Sequence, residues 1–291
     1  SSLTFDNNVT LTTSVGVDFG PSGMTLINSY FYINTNGFVI NNSPDYGNSS
    51  YLVYNNGGGG FNRNVEWNTN TPGLGYPNNI IVQNSTYLSL NAYAAPGALG
   101  CSGYIDIQSG STMDMGAMPY SLTAGTNLTI GGTLKLSSAS GGDLNVGQNW
   151  NRAAAGVFTQ NGRNVTFNGS ADGTLTANGN GQLFSYVYLN KSASGNKLTL
   201  LDNVSVSDEV AFTQGTLDLG TKFFTLLSTA TKTARVGQSS SANTAFTYGA
   251  GHVTGQFIVQ RYLPAKRAWR LMTAPLKPGG GTHSINQAWQ D

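Results

Sequence analysis

One short phrase returns along this chain at a near-constant interval: a turn residue, often followed by Thr, then an apolar–x–apolar triplet and another turn residue. It reads STYLSLN at 85–91, GSTMDMG at 110–116, GGTLKLS at 131–137, DGTLTANG at 172–179, NKLTLLDN at 196–203 and QGTLDLG at 214–220. The first apolar residues are Leu88, Met113, Leu134, Leu175, Leu198 and Leu217. The wide Leu134-to-Leu175 interval holds Val157–Phe158 near its middle and counts as two periods. Six periods then span 129 residues, a mean of about 21.5. A fixed period of this size is what stacked repeats produce, because each unit buries its apolar face only against the next.

Subdividing one period shows what the unit is. In KLTLLDNVSVSDEVAFTQGTLDLG the triplets start at Leu198, Val204, Val210 and Leu217, separated by polar corners at Asp202–Asn203, Ser207–Glu209 and Thr213–Gly215. Three short strands per coil of about 21 residues is the pattern of a parallel β-helix, in which coils stack at roughly 4.8 Å and alternate side chains enter one long core. Inward positions are Leu198/Leu200, Val204/Val206, Val210/Phe212 and Leu217/Leu219, and Thr199, Ser205, Ala211 and Asp218 point outward. Asn and Gly suit the corners because they tolerate left-handed backbone. An antiparallel sandwich would also use short strands and Gly-rich turns, but it gives no reason for a constant period.

Composition supports an all-β chain. The 38 glycines, with abundant Asn, Ser and Thr, disfavour helix interiors and supply turns. Charged residues make up 9% against a usual share of roughly 25%, and the net charge is +1, which argues against a global nucleic-acid binder. The single cysteine, Cys101, excludes an internal disulfide and a multi-cysteine zinc site, and reads as a small buried residue. No apolar run approaches the roughly 20 residues that cross a bilayer as a helix. The N-terminus SSLTFDNNVTLTT carries no export leader, so a leader is expected to have been removed.

The organisation reads as four parts. Residues 1–50 form N-terminal coils or a cap. Residues 51–84, YLVYNNGGGGFNRNVEWNTNTPGLGYPNNIIVQN, form a Gly- and aromatic-rich loop or insertion projecting from the solenoid. Residues 85–250 are the regular β-helix. Residues 251–291 are a junction and the beginning of a following, truncated antiparallel β-domain, with Phe257/Val259 and Trp269/Leu271 on two longer strands. The stop at Asp291 without a terminal cap reads as a cut from something longer.

The residues offer little chemistry. Of 13 acids only Glu66 and Glu209 are glutamates, and the one adjacent pair, Asp208–Glu209, falls at an expected solvated corner where the two side chains diverge. Asp106, Asp114 and Asp218 sit singly in apolar–Asp–apolar triplets, far from the clusters that polysaccharide-cleaving β-helices need. His252 and His283 lie in Gly-rich loops without partners at ligand spacing, so no metal site and no cofactor is expected. Tyr51, Tyr54, Trp67, Tyr76, Tyr93 and Trp150 are candidates for exposed rings that stack on sugars, with packing of the loop against the solenoid as the competing reading. Arg261, Lys266, Arg267 and Arg270 form a basic cluster in RYLPAKRAWRLMTAPL, within a stretch from Leu219 to Gln290 that has eight basic residues and no acid.

Three stretches carry a family resemblance: YNNGGGGFNRNVEWNTNTPGLGYPNNIIVQN, SGNKLTLLDNVSVSDEVAFTQGTLDLGTKFFTL, and QFIVQRYLPAKRAWRLMTAPL running on to INQAWQD. They resemble large exported adhesin-like surface proteins of Bacteroidota, of the Flavobacterium/Cytophaga type, with parallel β-helix repeats and type IX secretion. The resemblance implies a cell-surface or extracellular location, a C-terminal sorting domain beyond this chain, and a non-catalytic structural or adhesive stalk. It also implies that the basic cluster lies at a domain junction and meets acids of downstream domains rather than nucleic acid. Implied partners are those downstream domains, the secretion machinery during export, and surface glycans or other cells. A carbohydrate-binding β-helix module is the alternative, with a polysaccharide-degrading β-helix enzyme behind it.

Overall fold

Apolar alternations of three to five residues can form strands, but a single pair of such strands is not stable alone in water. This chain resolves the difficulty by winding. The computed structural model describes residues 3–12, 15–21, 25–91, 97–237 and 253–263, and among them regular structure consists of strands with no helix. The strands build a parallel β-solenoid of about ten turns.

Each coil visits three walls in the same order. One coil places Leu99–Cys101 on the second wall, Ile105–Ile107 on the first and Thr112–Asp114 on the third. The next repeats this with Leu122–Ala124, Leu128–Ile130 and Thr133–Lys135. Pairing is parallel and in register: Leu99 lies beside Leu122, Ile105 beside Leu128 and Met113 beside Leu134. The first wall is the most continuous, with Val9, Phe31, Leu52, Ile80, Ile105, Leu128, Trp150, Leu175 and Leu200 following one another coil by coil.

The inward set read from the sequence forms the core. Leu198, Leu200, Val204, Val206, Val210, Phe212, Leu217 and Leu219 are all buried, and Thr199, Ser205, Ala211 and Asp218 are half-exposed between them. Burying a side chain of this kind contributes roughly 1.5–3 kcal/mol. The recurring phrase, however, does not mark a single column. Leu88, Met113 and Leu134 stack on the third wall and are followed there by Phe158, but Leu175, Leu198 and Leu217 stand on the first. A turn–apolar–x–apolar phrase specifies a coil side without specifying which side.

Three further expectations are corrected. The segment 51–84 does not project. Tyr51–Asn55, Gly60–Asn62 and Asn79–Val82 are strands of the solenoid itself, and the chain between the last two is an enlarged corner folded onto the core. Ser207–Glu209 is no corner, because Val204–Gln214 is one strand, paired to its neighbour with a bulge. Val253–Val259 is not antiparallel: it lies parallel to Thr216–Leu226, Phe257 beside Phe224, as one more coil. The second strand of that expectation, around Trp269/Leu271, lies outside the described residues.

Coil spacing dictates composition at one corner. Gly125, Gly147 and Gly169 follow each other at 22 residues, and a Cβ on any of them would run into a backbone carbonyl of the preceding coil: Ser102, Gly125 and Gly147 respectively. Another 22 residues on stands Lys191, buried, whose Nζ donates to the carbonyls of Gly147 at 2.9 Å and Ala171 at 3.1 Å. The ammonium thereby closes a column of carbonyls that the glycines have drawn close together. Its burial lowers the Lys191 pKa.

The third wall is interrupted between two coils. Gly60–Asn62, Tyr87–Ser89, Thr112–Asp114, Thr133–Lys135 and Val157–Thr159 form a five-stranded sheet that ends at the last of these. The next coil enters with Gln182–Asn190, a nine-residue strand that runs straight into the second wall and pairs only with Asn164–Phe167 and Val204–Gln214. Arg152 bridges the interruption, donating from Nε to Gln182 Oε1 at 2.9 Å, from Nη1 to the Gly156 carbonyl at 2.8 Å and from Nη2 to the Gly181 carbonyl at 2.7 Å. Inside, Trp150 packs edge-on against Phe158 and Phe184 at ring-centroid distances of 4.8 and 5.0 Å, tying the coils across the gap.

The close approach at the glycine column gives a direct test. Gly147→Ala forces the Gly125 carbonyl aside and is expected to destabilise the protein by about 1–3 kcal/mol or more, read as a lower denaturation midpoint. Gly58→Ala, whose Cβ meets nothing within 4 Å but whose φ is +85°, is expected to cost about 1 kcal/mol from backbone strain alone. Equal midpoints for the two variants would show that the column is not close-packed.

Candidate functional site

The outer face of the first wall carries an aromatic ladder. Tyr30 lies in register with Tyr51, Tyr51 with Asn79, and Tyr104 directly precedes Ile105, the neighbour of Ile80. Tyr30 and Tyr51 stack at 4.3 Å between centroids and 7° between planes, Tyr30 and Tyr32 lie 5.8 Å apart at 14°, and Tyr51 meets Tyr104 at 6.2 Å. The in-register pair Tyr30 and Tyr51 stacks along the solenoid axis, each ring covering the other's face, whereas Tyr104 meets Tyr51 tilted at 59°. Sugars bind aromatic rings by their faces. At Tyr51 the Tyr30 ring already occupies one, and the ladder is built to hold coils together.

Two other ring candidates, Trp67 in the enlarged corner after Gly60–Asn62 and Tyr54 on the strand Tyr51–Asn55, are buried instead of exposed. The Trp67 side chain is fully enclosed, with Nε1 donating to the Gly100 carbonyl at 2.8 Å. Tyr54 is an inward residue of the first wall whose hydroxyl donates to Glu66 Oε1 at 2.9 Å. Trp150 belongs to the interior aromatic group and is likewise fully buried. For all three the competing reading, packing, holds, and the rings fill the core. Tyr76 is half-buried, and burial raises its pKa. Tyr93 lies outside the described residues.

The same corner buries two charges. Arg63 donates from Nε to the Leu90 carbonyl at 3.0 Å and from Nη1 to the Trp67 carbonyl at 2.6 Å. Glu66 accepts at Oε1 from Tyr54 and from the Asn64 N–H, each at 2.9 Å, and its Oε2 has no partner. Tyr46 donates to the Glu66 carbonyl at 2.8 Å. Desolvation drives the Glu66 pKa up to about 7, against the opposing pull of the Asn64 and Tyr54 hydrogen bonds and the Arg63 charge.

Elsewhere Asp114, Asp208 and Glu209 pair with cations of neighbouring coils. Asp208 and Glu209 are not solvated: Lys232 pairs with Asp208, and Arg235 Nε lies 2.8 Å from Glu209 Oε2. Tyr188 adds a hydrogen bond to Glu209 at 3.3 Å. Burial opposes ionisation of Asp208, yet bonds from Lys232 and Ser207 hold it below the usual carboxylate range. On the third wall Asp114 takes Tyr87 Oη at 2.6 Å and Lys135 Nζ at 3.3 Å. Asp106 and Asp218 stand on the first wall, opposite different neighbours. No group of three or more His, Cys, Asp or Glu with metal-binding arrangement occurs among the described residues. Cys101 is buried as expected, and burial pushes its thiol up to about 12.

Of the basic cluster, Arg261 is exposed and donates to the Gln260 carbonyl, while Lys266, Arg267 and Arg270 lie outside the described residues, as do His252 and His283.

What sequence reasoning missed is a groove of about 750 Å³ over the interrupted third wall. Val157–Gly162 line one side, Gly181–Leu183 and Ser185 the other, with Arg152, Ser207 and Lys232 at the margins. The nine-residue run QLFSYVYLN was its signal, since a strand that long has no corner between two walls.

The Glu66 carboxyl yields a pH prediction. Its folded pKa lies above the ordinary 4.5, so the native state binds the proton more tightly than the unfolded chain. Its contribution to stability is therefore full below about pH 4.5 and is lost as pH rises towards 7, by roughly 3 kcal/mol in all. Urea midpoints of the wild type measured against Glu66→Gln between pH 4 and 8 isolate this share. The wild type should lose ground to the variant as pH rises, and a constant difference would show that Glu66 does not titrate in this range.

No protein family, curated protein or solved structure matches this chain.

Proposed function

We propose that this chain is a non-catalytic structural and adhesive stalk segment of a large bacterial surface protein, exported through type IX secretion. The observation that carries this reading is the first wall, which continues in parallel register from Val9–Leu11 through every described coil to Val253–Val259. About ten coils at a rise of roughly 4.8 Å make a rod on the order of 50 Å long. A rod of this kind bears tension by shared backbone hydrogen bonds and separates what stands at its two ends. Outward side chains support the same role, because they bond mainly to the next coil: Asn55 to Asn34 at 2.7 Å, Asn149 to Asn127 at 2.8 Å, Tyr51 on Tyr30. The basic residues beyond Leu219 suit contact with acidic surfaces of downstream domains.

Two measurements test the proposal. Pulling the protein between its termini should release it coil by coil, in steps of about 22 residues, each adding roughly 75 Å of contour. A single all-or-none event at low force would count against a load-bearing stalk. Antibody against the chain should label intact cells of the source organism and lose that label when type IX secretion is disabled. Labelling only after lysis would remove the surface assignment.

A further inference from the structure

The groove over the interrupted third wall has the properties of a binding site rather than of a packing defect. Ser185 is the central feature. It sits at the bulge between Phe184 and Tyr186 and has no partner in the neighbouring strand. The residue is 4% exposed and lines the groove, and its side chain makes no hydrogen bond among the described residues. The hydroxyl oxygen is not sealed off, so it opens onto the groove, where a ligand can reach it in place of water. Thr159 and Gln160, on the facing coil, also line the groove with side chains that make no hydrogen bond among the described residues.

Charge and apolar surface narrow the ligand class. The two cations at the margin are already engaged: Arg152 with Gln182 Oε1 and the carbonyls of Gly156 and Gly181, and Lys232 with Asp208. The interior of the groove therefore presents uncharged hydroxyl and amide groups. Beside them stand two exposed apolar side chains, Val157 at 51% and Leu183 at 42%, and the half-buried Phe158 ring. An extended peptide is the poorer fit. Val157–Thr159 is a three-residue edge, too short for a ladder of backbone bonds, and the Ser185 bulge breaks the register of the opposite strand. An anion would find no free cation here. We infer that the groove binds an uncharged oligosaccharide, with Thr159, Gln160 and Ser185 hydrogen-bonding its hydroxyls and Val157, Leu183 and Phe158 meeting its apolar faces. The volume lies in the range of small-ligand sites. This goes beyond the stalk assignment and does not depend on it, since the groove would bind the same ligand on a free domain.

The test uses the whole chain on an array of neutral, sialylated and uronate-bearing glycans, followed by calorimetry with the best neutral trisaccharide. Neutral glycans should bind in the millimolar-to-micromolar range. Leu183→Arg places a charge in the groove from an exposed position and should weaken binding by roughly tenfold or more, and Gln160→Ala by several-fold, with circular dichroism and melting unchanged. Silence of every neutral glycan overturns the inference. So do hits confined to acidic glycans and undiminished binding by Leu183→Arg.

Discussion

The parallel ladder between coils is the constraint on which the rest of this molecule depends. A backbone N–H or C=O left unpaired in a core costs about 1–3 kcal/mol, and a strand of three residues cannot absorb that loss by itself. Pairing each strand with its counterpart roughly 22 residues away removes it for every coil at once. The corners inherit the consequence. Coils cannot separate to make room, so Gly125, Gly147 and Gly169 stand where the preceding carbonyl excludes a Cβ. Outward side chains inherit it too, because identical register places Tyr30 against Tyr51 and Asn127 against Asn149.

The parts of this fold that the sequence made legible are those governed by alternation. Leu198 to Leu219 could be assigned inward residue by residue because period 2 and the corner residues Asp202–Asn203 agree. The identity of the wall could not be read, since Leu134 and Leu175 sit in indistinguishable phrases yet face different sheets. A stricter signal was present in the Gly125, Gly147, Gly169, Lys191 series at 22 residues, but it lies in turn residues, which an apolar count ignores. Trp67, Trp150 and Tyr54 stood open between stacking and packing, and all three pack: polar neighbours describe the backbone conformation at a corner and say little about where the ring between them goes. The groove was illegible because it arises from the absence of a corner in one coil relative to the coil before.

Buried charge in this solenoid is handled by carbonyls more than by ion pairs. Lys191 closes the carbonyls of Gly147 and Ala171, and Arg63 takes those of Leu90 and Trp67. The half-buried Arg152 does the same for Gly156 and Gly181. In each case a cation supplies donors where strand geometry has left acceptors without a partner coil in line. Glu66 is the exception among the buried groups, an acceptor held by Tyr54 and Asn64, with one oxygen unmatched. Its high pKa follows from that imbalance, because burial penalises the anion and two hydrogen bonds do not offset the loss of water.

The interruption of the third wall joins these threads. Up to Val157–Thr159 the coil turns a corner between the third and second walls; from Gln182 onward the strand runs through it. The two cross-sections cannot stay in hydrogen-bonding register on that side, so the ladder lapses there while Trp150, Phe158 and Phe184 keep the interior filled. Elsewhere in a solenoid the neighbouring coil takes up the backbone groups and most outward side chains, leaving little for another molecule. Where two coils of unlike shape meet, Ser185, Thr159 and Gln160 are released from that duty, and Arg152 prevents the gap from costing the fold its continuity. A binding groove on a repeat shaft therefore belongs at a change of cross-section, and in this chain the change falls between residues 159 and 182.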